Sequence, residues 1–188
     1  GNLNIGFRHL FPILPFLYIL TAKNISEFLK NRHSLRGKSF FSWTVFLLVA
    51  YLIIEAVAFF PSYMSYFNES VGGPKNGYRY VTDSNADWGQ DLKRLRRFLN
   101  NHPAIGAIRV DYFGGGDAKY YLGDKYLQWW DSKRPVEAGW YAISTNFLMG
   151  SLYDKTKPDN QSYRWLKNKK PAFQVGTSIL IYNITPED

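Results

Sequence analysis

The 188-residue chain contains no cysteine, which excludes a disulfide framework and any thiolate-held metal. Its three histidines have no spacing that would hold zinc, and His33 and His102 read as surface residues. Phosphate-loop signatures are missing too. FGGGDAKYY, from Phe113 to Tyr121, follows a strand pattern and precedes a helical one. It matches neither G-x-x-x-x-G-K-[ST] nor G-x-G-x-x-G, so Asp117 reads as a helix N-cap after a glycine turn. There is no internal repeat, low-complexity run or long linker. The net charge of +8 is not gathered into a reading surface. KRLRR (Lys93 to Arg97) and KNKK (Lys167 to Lys170) are the only tight basic clusters. They read as solvated helix faces or ends, which argues against a nucleic-acid partner.

What the chain has in excess is aromatic residues: 14 Tyr, 14 Phe and 6 Trp, or 18%. Such content suits membrane interfaces or carbohydrate-facing surfaces. FFSWTVFLLVAYLIIEAVAFF, Phe40 to Phe60, carries one charge, Glu55, and is long enough to cross a bilayer as a helix. Trp43 sits near one end, and Tyr63, Tyr66 and Phe67 lie beyond the other, where interface anchors belong. Glu55 reads either as a functional group or as a residue paired with another helix. LFPILPFLYILTA, Leu10 to Ala22, is shorter. With Leu3, Ile5 and Phe7 it is expected to form a second span, kinked at Pro12 and Pro15; the alternative is a buried amphipathic segment. The basic stretch 23–39 between them is expected to be a cytoplasmic loop under the positive-inside rule. Residues from about 63 onward then lie outside the cytoplasm, in a multi-pass protein of the inner or plasma membrane. The chain opens on Gly1, not Met, and is expected to be the tail of a longer protein with further helices upstream.

These patterns set two domains: membrane helices over 1–62, then an extracytoplasmic domain over 63–188. GGPKNG, Gly72 to Gly77, reads as a hinge-like joint between them. In the second domain, Tyr78–Asp83, Ala107–Phe113 and Gly139–Thr145 read as strands, and Phe173–Ile184 as a closing pair around Gly176. Trp88–Asn101 reads as a helix with Leu92, Leu95 and Leu99 on one face. A short helix is expected after Gly116 and another over SYRWLKN. Alternating strands and helices predict a small α/β domain with a mainly parallel sheet. Trp129 and Trp130 read as core residues or as an acceptor or membrane contact.

DSNADWGQDL, Asp83 to Leu92, is the densest polar stretch. As a calcium loop it fails: Trp88 replaces the glycine at position six, and Arg94 replaces the bidentate glutamate at position twelve. As a helix start it fits, with Asp87 and Gln90 as a capping box and Asp91 in the first turn. As a sugar site it also fits, because carboxylates and amides beside an aromatic plane satisfy hydroxyls and a ring face. Under that reading Asp83, Asn85, Asp87, Trp88, Gln90 and Asp91 form the binding rim. Both readings stay open.

At GFRHLFPILPFLYI, YMSYFNESVGGPKNGYRYVTDSNADWGQDLKRL, DYFGGGDAKYYLG, GWYAIST and VGTSILIYNI the chain resembles the C-terminal end of bacterial polytopic glycosyltransferases. These are similar to the dolichyl-phosphate-mannose protein mannosyltransferases and the aminoarabinose transferases, of GT-C fold. The resemblance implies sugar transfer from a polyprenyl-phosphate carrier to a glycan or protein acceptor at the extracytoplasmic face, in protein glycosylation or cell-envelope assembly. It implies that the catalytic carboxylate lies in a loop outside this chain, so no catalytic residue, metal or cofactor is assigned here. It places Arg8, with His9 as a second donor, near the lipid phosphate, where a guanidinium offers bidentate hydrogen bonds; a snorkelling anchor is the alternative for Arg8. The competing class is a membrane-anchored glycan-binding module without catalysis.

Overall fold

The computed structural model describes residues 7–31, 35–82 and 85–186. The chain divides into two compact units, Gly1–Pro61 and Ser62–Asp188.

The first unit begins with a 3-10 segment, Phe7–Ile13, which contains Pro12. Helix α1, Leu14–Asn31, follows, and Pro15 falls in its first turn, where no backbone donor is needed. Helix α2 is Leu35–Ala58. Its Ser39–Ala58 stretch, with mean hydropathy 2.1, is long and apolar enough to cross a membrane. No second helix among the described residues meets that length and apolarity. The second half of α1 carries Lys23, Glu27 and Lys30, which interrupt its apolar run. Where it is described, the basic stretch is helical, and 32–34 lie outside the described residues. Lys23 to Asn31 belongs to α1 and Leu35 onward to α2; His33 lies outside the described residues. Glu55 accepts a long hydrogen bond from the Tyr51 hydroxyl one turn earlier, at 3.5 Å.

The second unit is built on five strands: β1 Ile108–Asp111, β2 Tyr126–Gln128, β3 Gly139–Ser144, β4 Phe173–Val175 and β5 Ile179–Ile184. Their order is β2-β1-β3-β5-β4. β1 runs parallel to β2 and β3, while β5 pairs antiparallel with both β3 and β4. The sheet is mixed rather than mainly parallel. One antiparallel pairing is local, since only Gly176, Thr177 and Ser178 join β4 to β5, and so short a turn can only close an antiparallel pair; the other, β3 with β5, joins strands far apart in the chain.

Helices cover both faces. Leu92, Leu95 and Leu99 of α3 (Leu92–Asn101) pack with Ile108, Val110, Ala142, Ile179 and Ile181. Leu122 of the short α4 (Ala118–Leu122) joins this layer. The other face buries Tyr141, Ile143, Leu180, Tyr182 and Ile184 against Leu148 of α5 (Thr145–Tyr153), Tyr163 and Leu166. Neighbours on β3 and β5 thus alternate between two buried layers. This period of two explains why both strands read as continuous apolar runs.

Several expected elements differ. Tyr78–Asp83 forms no strand where it is described; a 3-10 turn, Gly77–Arg79, buries Tyr78 and leaves Tyr80 exposed. GGPKNG lies inside the second unit, since the division falls at Pro61. SYRWLKN shortens to a 3-10 turn, Tyr163–Leu166. β2 and α5 arise where no element was expected. Asp117 does cap α4, accepting the Tyr120 N–H at 3.1 Å. His102 is half-buried, stacked on Phe98 with centroids 4.0 Å apart. Of the tryptophan pair, Trp129 is buried and Trp130 exposed.

Candidate functional site

The described part of the polar stretch, 85–92, turns mostly inward. Helix α3 begins at Leu92, four residues later than its sequence pattern suggests, and no side chain caps it. Asp87 therefore does not form a capping box. Its Oδ1 accepts the Gly89 N–H at 2.9 Å, a turn that Gly89 permits with φ of 74°. Gln90 folds over the same turn, accepting from the Trp88 N–H at 2.7 Å and donating to the Ala86 carbonyl at 3.0 Å. Asn85 donates to the Thr82 carbonyl at 3.3 Å.

Asp91 is wholly buried and reaches across to the β4–β5 turn. Its Oδ2 accepts from the Thr177 N–H at 2.7 Å, the Ser178 N–H at 2.9 Å and the Ser178 hydroxyl at 3.0 Å. Its Oδ1 takes the Arg94 guanidinium at 2.6 Å, and Arg94 in turn donates to Ser62 Oγ at 2.9 Å. A buried carboxylate needs such partners to offset its desolvation. The stretch thus ties three distant segments together: the domain's first residue, α3 and the closing hairpin.

Asp87 is equally buried, yet its Oδ2 closes no hydrogen bond. Burial pushes its carboxyl up to about 6, with the Gly89 N–H opposing. Trp88 is half exposed at 49%. Asp83 lies outside the described residues, and the side chains of Arg8 and His9 lie outside the described part of the structure.

The sheet topology points elsewhere for a ligand. β1 and β3 are adjacent and parallel, but the chain leaves β1 toward α4 on one face and leaves β3 directly into α5 on the other. The connections that follow the two strands therefore diverge to opposite faces, and α/β proteins hold ligands in the crevice this leaves at the strands' carboxyl ends. A cleft of about 450 Å³ lies there, lined by Asp111, Trp130, Asp131, Asn146, Phe147 and Lys157 among others. That volume suits a small molecule or a single sugar ring.

Each wall has a local origin. Asp111 ends β1, and its Oδ2 accepts the Tyr163 hydroxyl at 2.6 Å. Burial raises its carboxyl to about 6; the Tyr163 bond and Lys157 oppose this, while Asp131 adds to it. Asp131 pairs with Lys157. Trp130 presents an indole that is 44% exposed, with the Lys133 ammonium 4.9 Å from its centre. Asn146 and Phe147 come from the first turn of α5, and Phe147 meets Phe113 edge to face at 5.5 Å. Among the described residues no group of three or more His, Cys, Asp or Glu is placed to hold a metal ion.

The structure thus brings Asp87, Gln90 and Asp91 together as a folded brace, and gathers the cleft from 111–157. The brace is tied to the end of β1 beside the cleft, where the Tyr112 hydroxyl donates to the Gly89 carbonyl at 2.6 Å. The cleft's signals in the sequence were two: an acidic residue ending an apolar strand in VDYFGGG, and the second indole of the Trp129–Trp130 pair. Comparison with known proteins finds no family model, curated protein or solved structure that matches this chain.

Proposed function

We propose that the chain is part of a membrane glycosyltransferase that draws on a polyprenyl-phosphate sugar, and that its second unit holds a sugar-bearing acceptor in the strand-end cleft. The observation that carries this reading is the cleft's mixed lining. Carboxylate, amide and ammonium groups converge with an exposed indole at the switch between β1 and β3. Hydroxyl-rich rings need that combination: acceptors and donors for their edges, and a flat apolar plane for their faces.

The apolar stretch of α2 supports membrane anchorage; in this proposal Leu10–Ala22 makes a second crossing. The basic residues between Lys23 and Lys38 then mark the cytoplasmic side, and the second unit faces outward. Arg8 and His9 fall at the outer end of the first crossing, where they bind the carrier phosphate. Asp111 accepts an acceptor hydroxyl, Asn146 fixes a neighbouring one, and Trp130 stacks on the ring.

The test is transfer of labelled sugar from polyprenyl phosphate by the full-length protein, with Trp130→Ala, Asn146→Ala and Arg8→Ala variants. The two cleft variants should raise KM for the acceptor and leave donor dependence alone. Arg8→Ala should weaken the dependence on donor. Unchanged kinetics in all three would remove the assignments. Glycan binding that depends on Trp130 without any transfer by the full-length protein would make this a binding module instead.

A further inference from the structure

A second surface of the 62–188 unit stands apart from the cleft. The 3-10 turn Tyr63–Ser65 opens the unit. Tyr63 is 53% exposed, Met64 58% and Tyr66 41%, while Ser65 between them is fully buried. The turn is fixed at two points. Ser62 Oγ accepts from Arg94, and Ser65 Oγ pairs with Thr177 Oγ1 at 2.7 Å. Thr177 Oγ1 also accepts from Gln90, whose own carbonyl oxygen holds the Trp88 N–H. These bonds link the backbone of exposed Trp88, through Gln90 and Thr177, to the turn that carries Tyr63 and Met64. Arg94 ties the turn to α3, whose outer face exposes Lys93, Arg96 and Arg97.

We infer that this face, with Tyr63, Met64 and Trp88 beside Lys93 and Arg97, docks onto the headgroup layer of an anionic lipid bilayer. Two facts select lipid as the occupant. Only three residues, Phe59, Phe60 and Pro61, separate Ser62 from the end of the apolar stretch of α2 at Ala58, so the tether keeps this turn within reach of the bilayer edge. Aromatic and thioether side chains bordered by cations then match the two chemistries of that layer. Amphipathic rings settle at headgroup depth, and Lys and Arg meet the phosphates. The inference rests on the membrane reading of α2.

The absence of native cysteine allows single nitroxide labels on the full chain. Met64→Cys and Arg97→Cys sample the face. Val49→Cys samples α2, and Tyr153→Cys samples α5, which packs on the opposite side of the sheet from α3. The protein is reconstituted in equimolar phosphatidylglycerol–phosphatidylcholine vesicles and exposed to a water-soluble nickel relaxant. The Met64→Cys and Arg97→Cys labels should be several-fold less accessible than the Tyr153→Cys label. High salt should restore access at Arg97→Cys, because screening weakens the hold of the remaining cations Lys93 and Arg96 on phosphate. Labels at 64 and 97 as accessible as the one at 153, with Val49→Cys shielded, would overturn the inference and leave the membrane reading intact. An accessible Val49→Cys label would remove both. Shielding of Arg97→Cys by a soluble polyanion in detergent, without shielding in anionic vesicles, would overturn it in favour of an acidic polymer.

Discussion

Asp91 occupies the space that a side chain at position 176 would need. A Cβ built on Gly176 would lie 2.1 Å from Asp91 Cγ and 2.1 Å from its Oδ1. The two residues are 85 positions apart in the chain, and the fit between them decides how the closing hairpin seats on α3. Gly176 also holds φ at 62°, which lets the turn aim the Thr177 and Ser178 N–H groups at one carboxylate oxygen.

Gly176→Ala should therefore be severely destabilising. Left-handed backbone strain alone costs about 1–3 kcal/mol, and displacing Asp91 from its partners adds to that. Thermal unfolding of the full chain in detergent, followed by near-ultraviolet circular dichroism of the aromatic core, should show a large fall in Tm. A fall no greater than that of a surface control such as Gly115→Ala would contradict the packing described.

Asp91→Ala should cost about 3–5 kcal/mol, because it strands a partly buried guanidinium and two buried backbone donors. Arg94→Ala should cost less, since Asp91 keeps its bonds from Thr177 and Ser178. Chemical denaturation of the two variants tests that order. Equal losses would mean that the ion pair, not the hairpin clamp, carries the stability.

Asp87 and Asp111 give stability a pH dependence with a definite sign. Both folded-state values are raised from 3.8 to about 6. Between those values the unfolded chain has released protons that the folded chain retains. Stability therefore falls as pH rises through this window and levels off above it. Asp87→Asn should flatten part of the slope and raise Tm at neutral pH relative to the parent. A Tm that rises from pH 4 to pH 6, in the parent and equally in the variant, would show that other groups dominate.

Tyr163→Phe should raise the Asp111 carboxyl further, because it deletes the hydrogen bond that favours its ionised form. The same change should cost about 1 kcal/mol of stability. Carboxyl-carbon NMR titration of labelled aspartate reads the shift directly. An unmoved Asp111 resonance would remove Tyr163 from the cleft's electrostatics.

The paired tryptophans should separate cleanly. Trp129 is 4% exposed and packs edge to face on Tyr141 with centroids 5.1 Å apart. Its replacement by Ala should cost about 3–5 kcal/mol. Trp130→Ala should change stability by no more than about 0.5 kcal/mol while weakening glycan binding. Similar Tm losses for both would place Trp130 in the core.

Much of the scaffold was legible because it follows from local periodicity. The leucines of α3, the strands over Ala107–Phe113 and Gly139–Thr145, the hairpin around Gly176 and the Asp117 cap all rest on neighbours a few residues apart. Asp83–Leu92 was legible only as polar and turn-forming. Whether Asp91 caps its own helix or bridges to Ser178 depends on a hairpin residue that the chain reaches 87 residues later. The cleft was obscured for the same reason, since Asp111, Trp130, Asn146 and Lys157 share no spacing.

What the sequence by itself determined is therefore what hydrophobic period and chain chemistry dictate: an apolar helix long enough to cross a bilayer, an α/β domain after it, and no thiol chemistry. The tertiary structure alone decided the mixed sheet, the inward turn of the acidic stretch and the position of the cleft. The physical reason is that burial and strand order assign a polar side chain its partner. A carboxylate buried without hydrogen-bond partners is costly, and Asp91 finds them in a turn whose Thr177 and Ser178 both donate to it through backbone and side chain.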